Sequence, residues 1–101
     1  MSSPQSKQKN PFFSVIVPTF ERTRKLDACL SALAGLDYPR DLFEVIVVDD
    51  GSSIPPEQVV NAYSDRIDVR LIVQNHSGPA TARNRGALSA KGEVLAFTDS
   101  D

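Results

Sequence analysis

The chain has 101 residues, enough for one domain with one core. Its 13 acidic and 11 basic side chains give a net charge of -2, and the basic residues are scattered, which excludes the basic stripe that neutralises a nucleic-acid backbone. The single cysteine, Cys29, has no partner for an intrachain disulfide or a thiolate metal cage, and no apolar run is long enough to span a bilayer.

Residues 1–11 open polar and lack an apolar signal core, so they are expected to form a disordered tail ahead of one α/β domain over 12–101. Phe13 to Val17, rich in β-branched and aromatic residues, predicts the first strand. Leu26, Cys29, Leu30 and Leu33 then recur at three- and four-residue spacing, which predicts a helix over about Thr23 to Leu36 with Cys29 on its apolar stripe. Phe43 to Val48 is apolar on both faces, the pattern of a buried, central parallel strand. Gly51 to Pro56 is a turn into a helix whose inner face includes Val59, Val60 and Tyr63, with the proline pair in the first helical turn. Val69 to Val73 predicts a third strand. Ser77-Gly78-Pro79 opens a third helix that ends near Gly92. Gly86 inside that helix costs about 1 kcal/mol relative to Ala, so strand backbone or a ligand is expected close by. Val94 to Phe97 predicts the fourth strand.

Strands alternating with amphipathic stretches imply an α/β fold, and right-handed crossovers favour a doubly wound, mostly parallel sheet of order 3-2-1-4 with flanking helices. Ligands in such sheets bind beyond the carboxyl ends of the strands, where the order reverses. The residues there are Pro18-Thr19-Phe20-Glu21, Asp49-Asp50-Gly51-Ser52 and Thr98-Asp99-Ser100-Asp101. Each segment alone is an ordinary turn or cap. Together their carboxylates would repel one another on a single rim, which makes a divalent cation the economical expectation. Oxygen-only ligands point to Mg²⁺ or Mn²⁺, with substrate phosphates completing the shell. Phe20 stands where a ring can lie against a planar nucleobase. Neither Gly-x-Gly-x-x-Gly after the first strand nor a P-loop occurs, so phosphate charge is expected to be met by metal instead. His76, the only histidine, follows a strand at the far edge of the sheet and is expected to have no direct role.

At these residues the sequence resembles the inverting family 2 glycosyltransferases of the GT-A fold, of which it would form the Rossmann-like half. The resemblance rests on Ser14-Val15-Ile16-Val17-Pro18-Thr19-Phe20, on Val47-Val48-Asp49-Asp50-Gly51-Ser52, on the run from Asn75 through Ala82-Arg83-Asn84-Arg85-Gly86, and on Gly92 to Asp101, similar to the strand that leads into an Asp-x-Asp metal motif. It implies that Pro18, Thr19 and Phe20 line the nucleobase pocket, that Asp50 accepts a hydrogen bond from the base, and that Arg83 sits near the base or diphosphate. It also implies that Asp99 faces ribose and metal and that Asp101 coordinates the metal. Asp49 ranks below Asp50, because it can order its own turn, and Glu21 departs from the neutral polar residue frequent in the family, which puts base contacts at that position in doubt.

The implied activity is metal-dependent, inverting transfer of a sugar from a nucleoside-diphosphate donor, with uridine expected as the base, to a carbohydrate or lipid-linked hydroxyl. The general base is expected beyond residue 101, so the isolated chain is expected to be inactive. A cytoplasmic location is expected, with membrane association only through further regions, and the strand 94–97 is expected to pair with another copy. The alternatives are a receiver-type phosphoacceptor signalling domain, because Val45 to Asp50 also resembles that family's acidic pair, and a non-catalytic nucleotide-binding module.

Overall fold

The computed structural model describes residues 11–98. Residues 1–10 of the expected 1–11 tail and the expected metal ligands Asp99 and Asp101 lie outside the described residues. The elements follow in chain order as β1 (Phe13–Thr19), α1 (Thr23–Ala34), a 3₁₀ turn (Arg40–Leu42), β2 (Phe43–Asp49), α2 (Glu57–Asn61), β3 (Val69–Val73), α3 (Pro79–Ser89) and β4 (Val94–Phe97). All strand pairs are parallel, and their order is β3-β2-β1-β4, as the sequence predicts.

Strand alternation divides the core between two faces. Val15, Val17, Val45 and Val47 meet Leu26 and Leu30 of α1 and Val60 of α2 on one side. Ile16, Ile46 and Val48 meet Ala82 of α3 on the other. All seven residues of β2 are buried, which explains its apolar character on both faces. At the amino end of the sheet the Phe13 and Phe43 rings stack at 5.6 Å, and the edge of Tyr38 meets Phe13 at 4.9 Å.

The helices end sooner than periodicity predicts. α1 stops at Ala34, capped at Gly35, and α3 stops at Ser89, three residues short of the predicted terminus at Gly92, because Ala90 turns extended. Pro56 is the N-cap of α2 and Pro55 precedes it, so the proline pair sits just outside the helix instead of in its first turn. Tyr63 falls past the end of α2 yet is buried, its hydroxyl donating to Asp27 Oδ1 at 2.7 Å. The glycine in α3 is required by strand side chains: a Cβ on Gly86 would stand 2.5 Å from Ile16 Cγ2 and 3.2 Å from Val48 Cγ2.

One polar group interrupts the buried face. Glu44 is 1% exposed and accepts from Ser14 Oγ at 2.6 Å, Arg70 Nη1 at 2.7 Å and the Lys91 N–H at 2.7 Å. Arg70 also donates to the Ser89 carbonyl, and the Gly92 N–H donates to Ser14 Oγ. This network joins β1, β2 and β3 to the α3–β4 connection at the end of the sheet opposite the carboxyl rim. Burial pushes the Glu44 carboxyl up, and the Lys91, Ser14 and Arg70 donors reverse that, holding it below its ordinary value.

Candidate functional site

The carboxyl ends of β1, β2 and β3 carry three loops that are tied to one another. Register places Thr19 beside Asp49 and Asp49 beside Val73, so the residues that follow each strand begin side by side. The Asp50 N–H donates to the Thr19 carbonyl and the Gln74 N–H to the Asp49 carbonyl, both at 2.9 Å, which continues the sheet one step onto the rim.

Asp49 and Asp50 then diverge because successive side chains leave a strand on opposite faces. Asp49 turns to the α1 face and is fully buried, accepting from Ser52 N–H at 3.0 Å and Ser52 Oγ at 2.5 Å. It orders its own turn, the lesser role expected of it. Asp50 turns to the α3 face and holds the β3–α3 loop. Its Oδ1 accepts from Gln74 Nε2 at 2.9 Å and the Ser77 N–H at 2.7 Å, and its Oδ2 from the Gly78 N–H at 2.9 Å, with His76 Nδ1 at 3.1 Å. Burial opposes ionisation of Asp50, yet the donors from Gln74, Ser77 and Gly78, with His76 adjacent, hold its carboxyl below the ordinary value.

These contacts revise the argument from repulsion. Each of the two carboxylates after β2 is compensated by donors of its own, so neither needs a cation, and the metal expectation rests on Asp99 and Asp101 alone. Among the described residues no group of three or more His, Cys, Asp and Glu side chains is arranged to hold a metal. The Asp-Ser-Asp sequence over 99–101 is a hard, anionic oxygen donor set of the kind Mg²⁺ and Mn²⁺ prefer, and on that chemistry it fits.

Glu21 also has a structural task. Its φ of 54° lies in the left-handed region that is costly for a side chain of this kind. Its N–H donates to Ser52 Oγ at 2.7 Å, and its Oε2 accepts from the Ser53 N–H at 2.8 Å and Ser53 Oγ at 2.7 Å. The Ser53 hydroxyl and N–H hold the Glu21 carboxyl below its ordinary value. This latch joins the β1–α1 and β2–α2 loops, whose walls enclose a cleft of about 230 Å³ with Thr19, Thr23 and Ile54.

Of the remaining expected site residues, Pro18 is buried inside β1 opposite Val48, and Thr19 is buried at the end of the strand. Phe20 is 38% exposed on the rim. Arg83 lies half-buried one turn into α3, next to Ala82, and no hydrogen bond ties it to another described residue. The rim therefore gathers Thr19, Phe20, Glu21, Asp49 and Asp50.

It also gathers His76, whose ring lies 4.5 Å from that of Phe20. The far-edge position of β3 did not remove His76 from the rim, because the loop after β3 turns back across β2 to reach Asp50. Gln74 and His76 could have been found from the strand order itself: a third strand paired with the second must end beside Asp50. Gly51 permits the return. Its φ is 86°, and a Cβ there would stand 2.8 Å from the His76 nitrogen.

A doubly wound parallel sheet with its polar loops gathered at the carboxyl rim defines the class: an α/β domain whose candidate ligand site lies at that rim. The model of the family described as "Glycosyl transferase family 2" matches residues 14–101. The chain belongs to this family.

Among curated proteins, it is 38% identical over 91 residues to the poly(ribitol-phosphate) β-N-acetylglucosaminyltransferase TarS of Staphylococcus aureus, covering 88% of this chain and 16% of that one. It is 35% identical over 94 residues to the glycosyltransferase AglE of Haloferax volcanii, covering 90% of this chain and 31% of that one. Among solved structures, the mannosyltransferase PcManGT of Pyrobaculum calidifontis, in complex with GDP-Man and Mn²⁺, superposes with a TM-score of 0.84 at 31% identity, covering 92% of this chain and 28% of that one. TarS 1-349 in complex with UDP superposes with a TM-score of 0.83 at 38% identity, covering 88% of this chain and 27% of that one. The chain thus spans less than a third of the length of these relatives. Family membership removes the receiver alternative, and the carboxylate of Asp50, buried and bonded to three donors, is not presented as a phosphoacceptor.

Proposed function

We propose that this chain is the donor-binding part of a glycosyltransferase that takes a sugar from a nucleoside diphosphate and passes it, with inversion, to an acceptor hydroxyl on a carbohydrate or lipid-linked substrate. The observation that carries the proposal is the tied rim of Phe20, Asp50 and the 74–78 loop at the carboxyl ends of β1, β2 and β3. Relatives of this fold solved with UDP, UDP-GlcNAc and GDP-Man support a nucleotide sugar as the ligand. Uridine is the proposed base.

In this scheme the exposed Phe20 ring stacks on the base, Asp50 accepts from its edge, and Thr19 closes the floor of the pocket. Arg83, one turn into α3, lies within reach of the base or diphosphate, and its guanidinium can pair bidentately with phosphate oxygens. Asp99 and Asp101 would hold a Mg²⁺ or Mn²⁺ ion, which supplies positive charge against the diphosphate leaving group. The acceptor hydroxyl attacks the anomeric carbon as the bond to the diphosphate oxygen breaks, and its proton passes to a base to which no described residue is assigned.

Isothermal calorimetry tests this. UDP should bind with Mg²⁺ or Mn²⁺ present and lose most of its affinity in EDTA or on Asp101→Ala. Equal affinity with and without the cation would remove the metal, and absence of UDP binding under all conditions would remove the donor site.

A further inference from the structure

Two rings whose centroids stand 4.5 Å apart with planes 32° from parallel meet through their faces, because rings set edge to edge cannot approach so closely. His76 therefore covers one face of Phe20, and the opposite face is the one left to a ligand. Among the described residues no second aromatic ring touches Phe20, which is 38% exposed.

The histidine is the better anchored member of the pair. Its Nδ1–H donates to the Asp50 main-chain oxygen at 3.1 Å, and its backbone runs so close to Gly51 that a Cβ there would stand 2.8 Å from the His76 nitrogen. The next two N–H groups, of Ser77 and Gly78, donate to the Asp50 carboxylate. On the other side, the Glu21 N–H donates to Ser52 Oγ, which ties the main chain after Phe20 but leaves its ring to turn about the side-chain torsions. A side chain that is already held loses less rotamer freedom when a ligand packs against it.

We propose that His76 is a positioning residue of the donor site: it holds the Phe20 ring by one face, so that the other is set to stack on the base. It acts through Phe20, and its effect is therefore confined to ligands that carry a base. The inference rests on the proposal that the rim binds a nucleotide with its base against Phe20.

Calorimetry in Mg²⁺ with UDP and with inorganic pyrophosphate tests it. His76→Ala should weaken UDP roughly two- to tenfold, the factor that ordering one side chain is worth, and leave pyrophosphate unchanged. His76→Phe puts a ring back against Phe20 and should recover most of the loss. In a Phe20→Ala background there is no ring to hold, and His76→Ala should have no further effect on UDP. Nuclear Overhauser contacts between the two wild-type rings should persist with UDP bound.

Absence of UDP binding, or equal UDP affinity of the wild type and Phe20→Ala, would overturn the stacking of the base and the role of His76 with it. Where Phe20→Ala does weaken UDP, four results overturn the role of His76 alone. They are unchanged UDP affinity in His76→Ala, equal losses for UDP and pyrophosphate, a loss that persists in the Phe20→Ala background, and a loss that His76→Phe does not recover. If His76→Ala does not fold, the ring contacts decide: their disappearance on UDP binding overturns the proposal.

Discussion

Asp50 orders the β3–α3 loop through charged hydrogen bonds to two main-chain N–H groups, so its removal should be felt before any ligand is added. Asp50→Asn turns an amide NH₂ toward one of those donors. We expect a loss of about 1.5 to 3 kcal/mol, the range for hydrogen bonds to charged groups, measured by urea unfolding, and weaker binding of UDP by a larger factor than of pyrophosphate. Because the folded carboxyl is held low, its stabilisation is full above the unfolded pKa and disappears as pH falls through the folded one. At Gly86 two effects compete: Ala improves helix propensity by about 1 kcal/mol, while a Cβ 2.5 Å from Ile16 Cγ2 overpacks the contact at about 1 to 3 kcal/mol. Gly86→Ala should therefore lower the melting temperature. Local sequence signalled that Gly86 needed something close, but strand side chains and ligand are told apart only by the packing of α3 on Ile16 and Val48. It also signalled that Asp49 can order its own turn, as its bonds to Ser52 do. The place of His76 on the rim comes from a chain reversal after β3, which no local pattern encodes.

The Glu44 network was invisible at the level of elements, since a single charge inside an apolar strand pattern gives no sign of partners from β1, β3 and the α3–β4 connection. A buried acceptor that is removed leaves its donors unsatisfied. Glu44→Ala leaves the Lys91 N–H and the Ser14 hydroxyl without their acceptor while Arg70 keeps the Ser89 carbonyl, and we expect about 1 to 3 kcal/mol of destabilisation by chemical denaturation. The wild type should lose this stability only in acid: the folded pKa lies below the ordinary 4.5, so the contribution is complete above that value and falls as pH drops through the folded pKa. Strands were legible to within two residues at their carboxyl ends, where Pro18-Thr19 and Asp49 extend β1 and β2 although they carry turn-forming residue types. Tertiary pairing onto the rim overrides that local preference. Helix ends were less legible for the complementary reason: apolar spacing persists to Leu36, but Gly35 closes α1, and the Glu44 carboxylate captures the Lys91 N–H beyond α3.

On the scale of the molecule, the strand order followed from crossover handedness and needed no side-chain detail. Its consequence is an outer strand, β4, with Val94 and Phe97 each 49% exposed and, among the described residues, no neighbour on its far edge. An open groove of about 590 Å³ lined by Phe13, Cys29, Leu33 and Ala96 runs beside it. We expect the 101-residue chain to self-associate along this edge. Sedimentation at several concentrations should show it, and Leu95→Lys should return the chain to a monomer; a wild type that stays monomeric at high concentration would contradict it. The central claim is that a nucleotide binds across the carboxyl rim, and amide chemical-shift mapping during a UDP titration in Mg²⁺ tests it most directly. The largest shifts should fall within 18–21, 50–53 and 74–83, with the Glu44 network unmoved. Saturable binding whose shifts avoid these three segments would contradict the account.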